Sequence, residues 1–169
     1  MIRCIMLASL LLTPFGAAAE APDVQTPAPV IHLADNLDEA DRLGWCIDTQ
    51  GRGFGKFLHA HSCKPRGGDV QFSIEPATGL IRSVAFPDYC MIYAPETASP
   101  MGLVTCDADD PRQVFTHRET GEITRDADPS RCLAVGATSA AAGPFMSRSL
   151  DMLPCASVPT ALKIWEIIT

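Results

Sequence analysis

The sequence predicts an all-β domain in which three similar units, each closed by its own disulfide, fold around one core. Three observations lead to this prediction: an even set of cysteines, a repeat of about 42 residues, and many short β-rich runs separated by turns. One unit of this length exposes its apolar face when it is alone. We therefore expect the three units to fold together.

The first nineteen residues have the pattern of a signal peptide. Arg3 precedes an apolar stretch, residues 4–15, and small residues at 17–19 precede Glu20. The apolar stretch is shorter than the roughly 20 residues that a membrane-spanning helix needs. We expect an exported chain, either periplasmic or secreted, without a membrane span.

The remaining chain is expected to hold a short tether and one domain. Residues 20–29 contain three prolines and one large apolar residue, Val24, a composition typical of an extended tether. Residues 30–169 have the length of a single domain. After residue 19 the chain has 12 basic and 20 acidic residues, a net charge of −8. Such an acidic chain, without a basic cluster, is not expected to bind nucleic acid.

The cysteines indicate a disulfide in each unit. Six of them follow residue 19: Cys46, Cys63, Cys90, Cys106, Cys132 and Cys155. Six cysteines allow 15 pairings, and export favours their oxidation. The first cysteines of the three units are 44 and 42 residues apart, and a second cysteine follows after 17, 16 and 23 residues. The repeat therefore predicts that each cysteine pairs with its neighbour in the same unit, at about 3 kcal/mol per closed loop.

The β-rich runs lie at corresponding places in the units. They are DVQFSIE (69–75), GLIRSVAF (79–86), QVFTHRE (113–119) and KIWEII (163–168). Gly79 and Gly121 each follow a glutamine by eight residues and mark equivalent turns. The best helical candidate, LDEADRL (37–43), is one or two turns long. A threefold repeat of strands favours a closed pseudo-symmetric structure over a sandwich.

The units resemble the repeat of the ricin B-chain-type β-trefoil lectins, a fold that also serves as a carbohydrate-binding module of bacterial glycanases. The likeness covers residues 30–169. Its Gln-x-Trp element is represented by residues 71–73 (QFS), 113–115 (QVF) and 163–165 (KIW). The resemblance implies a β-trefoil fold and a non-catalytic glycan-binding function that needs no cofactor.

The resemblance also implies a binding site in the first unit. In each lectin repeat an aspartate two residues after the first cysteine accepts hydrogen bonds from sugar hydroxyls, and an aromatic residue near the second cysteine stacks on the sugar. Asp48 matches the aspartate and His61 takes the aromatic position. Gln71 matches the glutamine, and Val70 stands where the lectins have an asparagine. Asp48, His61 and Gln71 are thus the predicted site for a galactose- or xylose-type glycan.

The other two units lack these groups. Ile92 and Val104 stand at the aspartate and aromatic positions of the second unit, and Ala134 and Leu153 stand there in the third. At most one glycan site is therefore expected. Because two units have lost their sites, the alternative is a trefoil that acts as a protein-interaction module of the envelope or the secreted fraction.

The same residues also allow other interpretations. Asp48 could instead close an Asx turn. His59, His61 and Cys63 alternate and could share a zinc ion, but Cys63 is expected in a disulfide. No nucleophile or metalloprotease motif occurs, so an enzyme is not expected. Six aromatic residues are predicted in the core or at the barrel cap: Trp45, Phe57, Phe72, Phe86, Phe115 and Trp165.

Overall fold

The computed structural model describes residues 20–169, so the predicted signal peptide lies outside the described residues. The strands are β1 Val30–Leu33, β2 Trp45–Thr49, β3 Leu58–Ser62, β4 Phe72–Ile74, β5 Ile81–Ser83, β6 Tyr89–Tyr93, β7 Met101–Thr105, β8 Phe115–His117, β9 Ile123–Arg125, β10 Asp128–Val135, β11 Ala140–Ala142, β12 Phe145–Arg148, β13 Leu150–Pro154 and β14 Trp165–Ile168. Within residues 20–169 the one helical element is a 3₁₀ turn, Thr160–Leu162. This part of the chain has no helix that is long and apolar enough to cross a membrane.

The three units build the same arrangement of four strands. The second and third strands of each unit pair as an antiparallel hairpin: β2 with β3, β6 with β7, and β10 with β13. The first and fourth strands line a barrel in the order β1, β4, β5, β8, β9, β14, and the pairing of β14 with β1 closes it. The predicted all-β fold of three units, a β-trefoil, is confirmed.

Three aromatic residues at equivalent positions fill the barrel. Phe72, Phe115 and Trp165 each begin the fourth strand of their unit, and at most 1% of each is exposed. Burying a side chain of this size contributes about 2–3 kcal/mol. Trp45 is fully buried as well, and its indole donates a hydrogen bond to the Asn36 carbonyl at 2.8 Å. The prediction that these four residues belong to the core is confirmed.

The same prediction is wrong for Phe57, which is 46% exposed. Leu58, the next residue, faces the core, and successive side chains of an extended chain point to opposite sides. Phe57 therefore points to solvent. Phe86 is half-buried and packs edge-on against Phe54, with 5.2 Å between the ring centroids.

The disulfides join the cysteines within each unit, as predicted. Cys46 bonds to Cys63, Cys90 to Cys106 and Cys132 to Cys155. In each unit the bond links the second strand to the residue that directly follows the third strand. The hairpins of the three units are thereby held in the same way.

The predicted helix at residues 37–43 is wrong, because this segment forms turns. Leu37 and Arg42 have positive φ angles of 51° and 60°, which interrupt a right-handed helix. The buried Glu39 carboxylate accepts hydrogen bonds from the backbone N–H groups of Asp41 and Leu43. A side chain that binds its own backbone in this way competes with helical hydrogen bonding.

Residues 20–29 are extended and lie against the first unit. The Asp23 N–H donates to the Arg42 carbonyl at 2.6 Å, and the hydroxyl of the buried Thr26 donates to the Lys64 carbonyl at 2.9 Å. Farther along, the Pro27 carbonyl accepts a hydrogen bond from Gln71 at 2.9 Å. These bonds attach residues 20–29, the predicted tether, to the surface of the domain.

Candidate functional site

One face of the hairpin formed by β2 and β3 carries Cys46, Asp48, His59 and His61. Asp48 lies opposite His59, and Cys46 lies opposite His61. Cross-strand partners share a face of the sheet, and residues two apart on one strand do so as well. The other face of the hairpin carries Ile47 and Ala60, which are fully buried in the core. Asp48 and His61 are therefore brought together on the outer face.

Asp48 is buried in an ion pair. Only 1% of its side chain is exposed, and its Oδ2 atom lies 2.8 Å from the Lys64 ammonium and 3.6 Å from Nδ1 of His61. Lys64 also binds Oδ1 of Asp69 at 2.7 Å. Asp48 lies inside strand β2 and contacts side chains, so the alternative of an Asx turn is wrong.

The charges around Asp48 determine its ionisation. Burial raises the pKa of the Asp48 carboxyl, but His59 and Lys64 outweigh this effect and hold the pKa below its ordinary value of 3.8. Burial lowers the pKa of Lys64, but Asp48 and Asp69 outweigh it and raise the pKa above 10.5. Both groups are thus charged at neutral pH.

Two buried atoms beside this ion pair have no hydrogen-bond partner among residues 20–169. They are Oδ1 of Asp48 and Nε2 of His59. Nε2 of His59 lies 3.9 Å from Oδ2 of Asp48, which is beyond hydrogen-bond distance. An unpaired buried polar atom costs about 1–3 kcal/mol, so both atoms favour a group that can bond to them.

His61 is 6% exposed and is covered from the third unit. Its Nδ1 atom lies 3.0 Å from the Ser62 carbonyl, and its ring centroid lies 5.4 Å from that of Phe145. Burial lowers the pKa of His61 below its ordinary value of 6.5, although the Ser62 carbonyl and Asp48 act in the opposite direction. His61 is therefore a buried neutral imidazole, and its ring does not offer a free face.

Gln71 is one residue out of register with Gln113. The aromatic residues Phe72, Phe115 and Trp165 begin equivalent strands, so the residues two positions before them are Val70, Gln113 and Lys163. Gln71 bonds to the backbone of Pro27 and Gly68. The sequence alignment that equated Gln71 with Gln113 is thus corrected, and the place assigned to asparagine falls on Asp69 instead of Val70.

The residue two positions before the buried aromatic residue differs in chemistry among the three units. Val70 is fully buried beside the disulfide of Cys46 and Cys63. Gln113 donates to the Thr105 carbonyl at 3.2 Å and accepts from the Asp107 N–H at 3.2 Å. Lys163 donates to the Cys155 carbonyl at 2.7 Å. In each unit the side chain stabilises the region of the second cysteine.

The hairpins of the other units confirm which residues correspond to His61. The first cysteine of each unit pairs with His61, Val104 or Leu153. In the second unit, Ile92 and Val104 line an open groove of about 480 Å³. Ile92 and Ala134 stand at the position of Asp48 in the second and third units. The first unit alone therefore has a carboxylate there.

The zinc interpretation does not fit the structure. His59 and His61 do share a face, but Cys63 is bonded to Cys46 and cannot act as a thiolate ligand. Among residues 20–169, one other group of potential ligands lies close together, Glu122 with Cys132 and Cys155. Its two cysteines also form a disulfide.

Three residues at the site were not singled out by the sequence analysis: Lys64, Asp69 and Phe145. Lys64 and Asp69 follow β3 in the chain, so the alternating pattern of the strand does not extend to them. Phe145 comes from β12 of the third unit, which pairs with β3 through Ser147 opposite His61 and Arg148 opposite Ala60. The sole signal for it was the longer, 23-residue spacing of the third cysteine pair.

Comparison with known families and structures gives one family. Residues 37–151 match the family described as the Ricin-type beta-trefoil lectin domain. No curated protein matches the chain.

Several solved structures are similar to the chain. GalNAc-T7 with UDP, GalNAc and Mn²⁺ is 18% identical over 73% of this chain, with a TM-score of 0.55, and the match spans 20% of that protein. The Vibrio vulnificus hemolysin/cytolysin β-trefoil lectin with bound N-acetyl-D-lactosamine is 12% identical, with a TM-score of 0.57, over 82% of this chain and 91% of that one. The earthworm lectin C-terminal domain mutant in complex with 6′-sialyllactose is 14% identical, with a TM-score of 0.54, over 83% and 99%. At these identities the likeness shows the fold alone.

Proposed function

Because the chain belongs to the ricin-type β-trefoil lectin domain family, we propose that it is a non-catalytic carbohydrate-binding domain with one glycan site, centred on Asp48. In the second and third units the equivalent residues are Ile92 and Ala134, whose side chains cannot accept a hydrogen bond. One unit therefore carries the function.

The proposal depends mainly on two buried atoms, Oδ1 of Asp48 and Nε2 of His59, which have no hydrogen-bond partner within residues 20–169. A sugar hydroxyl can donate its hydrogen to the carboxylate oxygen and accept one from an imidazole N–H at the same time. One hydroxyl thus satisfies both atoms. Hydrogen bonds to a charged group contribute about 1.5–3 kcal/mol, enough to orient a sugar ring.

The side chains that lie over Asp48 make the affinity of the site for a single sugar weak. The side chains of His59 and Lys64 are 16% and 21% exposed and form the outer layer of the site. A hydroxyl reaches Oδ1 of Asp48 only when this layer moves, and that movement reduces the binding free energy. Useful binding then depends on several copies of the domain or on a surface rich in glycan.

Isothermal titration calorimetry against galactose- and xylose-containing glycans tests this proposal. We expect binding heat from the wild type and none from Asp48→Ala. Asp109→Ala, which removes an exposed carboxylate of the second unit, is the control and keeps the heat. Equal binding by the wild type and Asp48→Ala would remove Asp48 from the site.

A cluster of aromatic rings around the exposed Phe54 supports a second function, protein interaction. Phe54 is 42% exposed, and its ring centroid lies 4.5 Å from that of Tyr89 and 5.2 Å from that of Phe86. Aromatic residues are enriched at protein interfaces. If the domain has this function, a protein partner bound in stoichiometric amount stays on the wild type in excess free sugar. The same partner does not bind to Phe54→Ser. A partner that free sugar releases contradicts it.

Export to the periplasm or the medium is part of the proposal. The signal-peptide pattern of residues 1–19 supports it. The three disulfides support it as well, because disulfides persist in oxidising compartments. Cell fractionation with an antibody to the domain tests it, and a chain found with cytosolic markers would contradict export.

A further inference from the structure

We propose that the glycan site is shared between two units: the inserted hairpin of the third unit, β11 and β12, supplies the aromatic surface that the first unit lacks. This inference rests on the proposed function, because it adds residues to the same site. The added residues are Phe145 and Ser147, and neither belongs to the first unit.

The strand register places the hairpin on the correct face. Ser147 lies directly opposite His61, so it shares the outer face of the sheet with His59 and His61. Phe145, two residues before Ser147 on the same strand, faces the same side. The outer face thus continues without a break from Asp48 on β2, across β3, to Phe145 on β12.

Phe145 offers an aromatic face to a ligand, which the covered ring of His61 cannot do. The two rings meet edge to face, with an interplanar angle of 64°, so Phe145 covers His61 while remaining half-buried itself. Its cross-strand partner on β11 is Ala142, and Ser147 faces Ala140. These small side chains leave the Phe145 ring free on that side, and a phenyl face packs against the C–H face of a sugar.

The hairpin is held in place, so it acts as a platform and not as a lid. The Met146 N–H donates to the Ser62 hydroxyl at 3.0 Å, and that hydroxyl donates to buried Glu39 at 2.7 Å. Arg148 is bonded to Asp38 and lies over the Trp45 ring, 4.8 Å from its centroid. A site whose groups are already ordered loses less entropy on binding.

The far end of the same face indicates the length of the ligand. A groove of about 300 Å³ lies beside His59, and most of its lining side chains carry hydroxyl or amide groups: Gln50, Thr138, Ser139, Ser147 and Ser149. The rise of a strand puts Phe145 and Arg148, the two ends of β12, about 10 Å apart. A single sugar ring cannot reach both ends, so the ligand class is an oligosaccharide.

The charge of the face makes that oligosaccharide a neutral one. Asp48 and Asp69 share one ammonium, that of Lys64, and Arg148 is neutralised by Asp38. The two carboxylates and the single ammonium leave this group with one net negative charge. Hydroxyl groups suit such a face, whereas carboxylates are repelled.

Calorimetric titration of the wild type, Phe145→Ala and Phe145→Tyr with a glycan that the wild type binds tests the inference. We expect Phe145→Ala to weaken binding about tenfold, and Phe145→Tyr to bind within about threefold of the wild type. Phe54→Ala, which removes an exposed ring outside the site, is the control and binds as the wild type does. Near-ultraviolet circular dichroism verifies that each variant is folded.

The outcomes separate this inference from the proposed function. If Phe145→Ala binds as tightly as the wild type while Asp48→Ala does not bind, the shared site is overturned and the glycan site at Asp48 stands. If a monosaccharide binds as tightly as its oligosaccharide, the extended site is overturned. If no glycan binds to the wild type, both the proposed function and this inference fail.

Discussion

The Lys64 ammonium lies 2.8 Å from the Asp48 carboxylate, of which 1% is exposed. This ion pair occupies the place where the family resemblance predicted an open sugar ligand. Asp48 therefore has two roles in the proposed function: it stabilises the first unit when no ligand is bound, and its free oxygen receives a hydroxyl when a ligand arrives.

Removing Lys64 should destabilise the domain, because it leaves the Asp48 charge buried without its partner. We expect Lys64→Met to lower the free energy of unfolding by about 2–4 kcal/mol, as measured by urea denaturation. The loss should be smaller in an Asp48→Asn background. Arg112→Met is the control and should lose much less stability, because Arg112 is 52% exposed in its pair with Asp110 and water screens the two charges. Equal losses in the two variants would contradict the assignment.

Acidification should destabilise the protein through His61. The pKa of His61 is lower in the folded state than its ordinary value of 6.5, so the unfolded chain binds the proton more readily. The contribution of His61 is thus fully present above pH 6.5 and is lost as the pH falls through the folded pKa. We expect the free energy of unfolding to fall as the pH drops below 6.5, and His61→Gln to flatten this dependence. An unchanged slope in His61→Gln would assign the effect to another group.

The register of the glutamines can be tested by stability. Gln113→Ala leaves the Thr105 carbonyl and the Asp107 N–H without their side-chain partner, so we expect a loss of about 1–3 kcal/mol. Gln71 is half-buried and bonds to exposed backbone. Gln71→Ala should therefore cost less than about 1 kcal/mol. Thermal unfolding of both variants measures the difference, and equal costs would argue that Gln71 and Gln113 are equivalent after all.

Neutral glycans should bind better than acidic ones. The chain after residue 19 has a net charge of −8, and the cluster of Asp48, Asp69 and Lys64 adds a local negative charge. We expect a sialylated or uronate-containing glycan to bind about threefold more weakly than its neutral parent at low salt. The difference should vanish near 1 M salt, where the Debye length is about 3 Å. A preference for the acidic glycan would contradict the charge assignment.

Much of the fold follows from local features of the chain. The spacing of the cysteines predicted the disulfides correctly because each bond joins residues of one hairpin, 16 to 23 positions apart. Gly79 and Gly121 predicted equivalent turns, and both adopt the positive φ angles, 72° and 85°, that favour glycine. The helix predicted at residues 37–43 does not form, because the buried Glu39 side chain binds the backbone of this segment, and its burial depends on the rest of the domain.

The sequence alone therefore determined the repeat, the disulfides, the all-β class and the single carboxylate at Asp48, since each depends on residues within one unit. Tertiary structure decided what surrounds that carboxylate. Val70, and not Gln71, is equivalent to Gln113, and this correspondence follows from barrel strands that the three units form together. The arrival of Phe145 beside His61 joins residues 84 positions apart (145 and 61) through the pairing of β12 with β3. Such contacts form only when the barrel closes, because closure brings the third unit against the first.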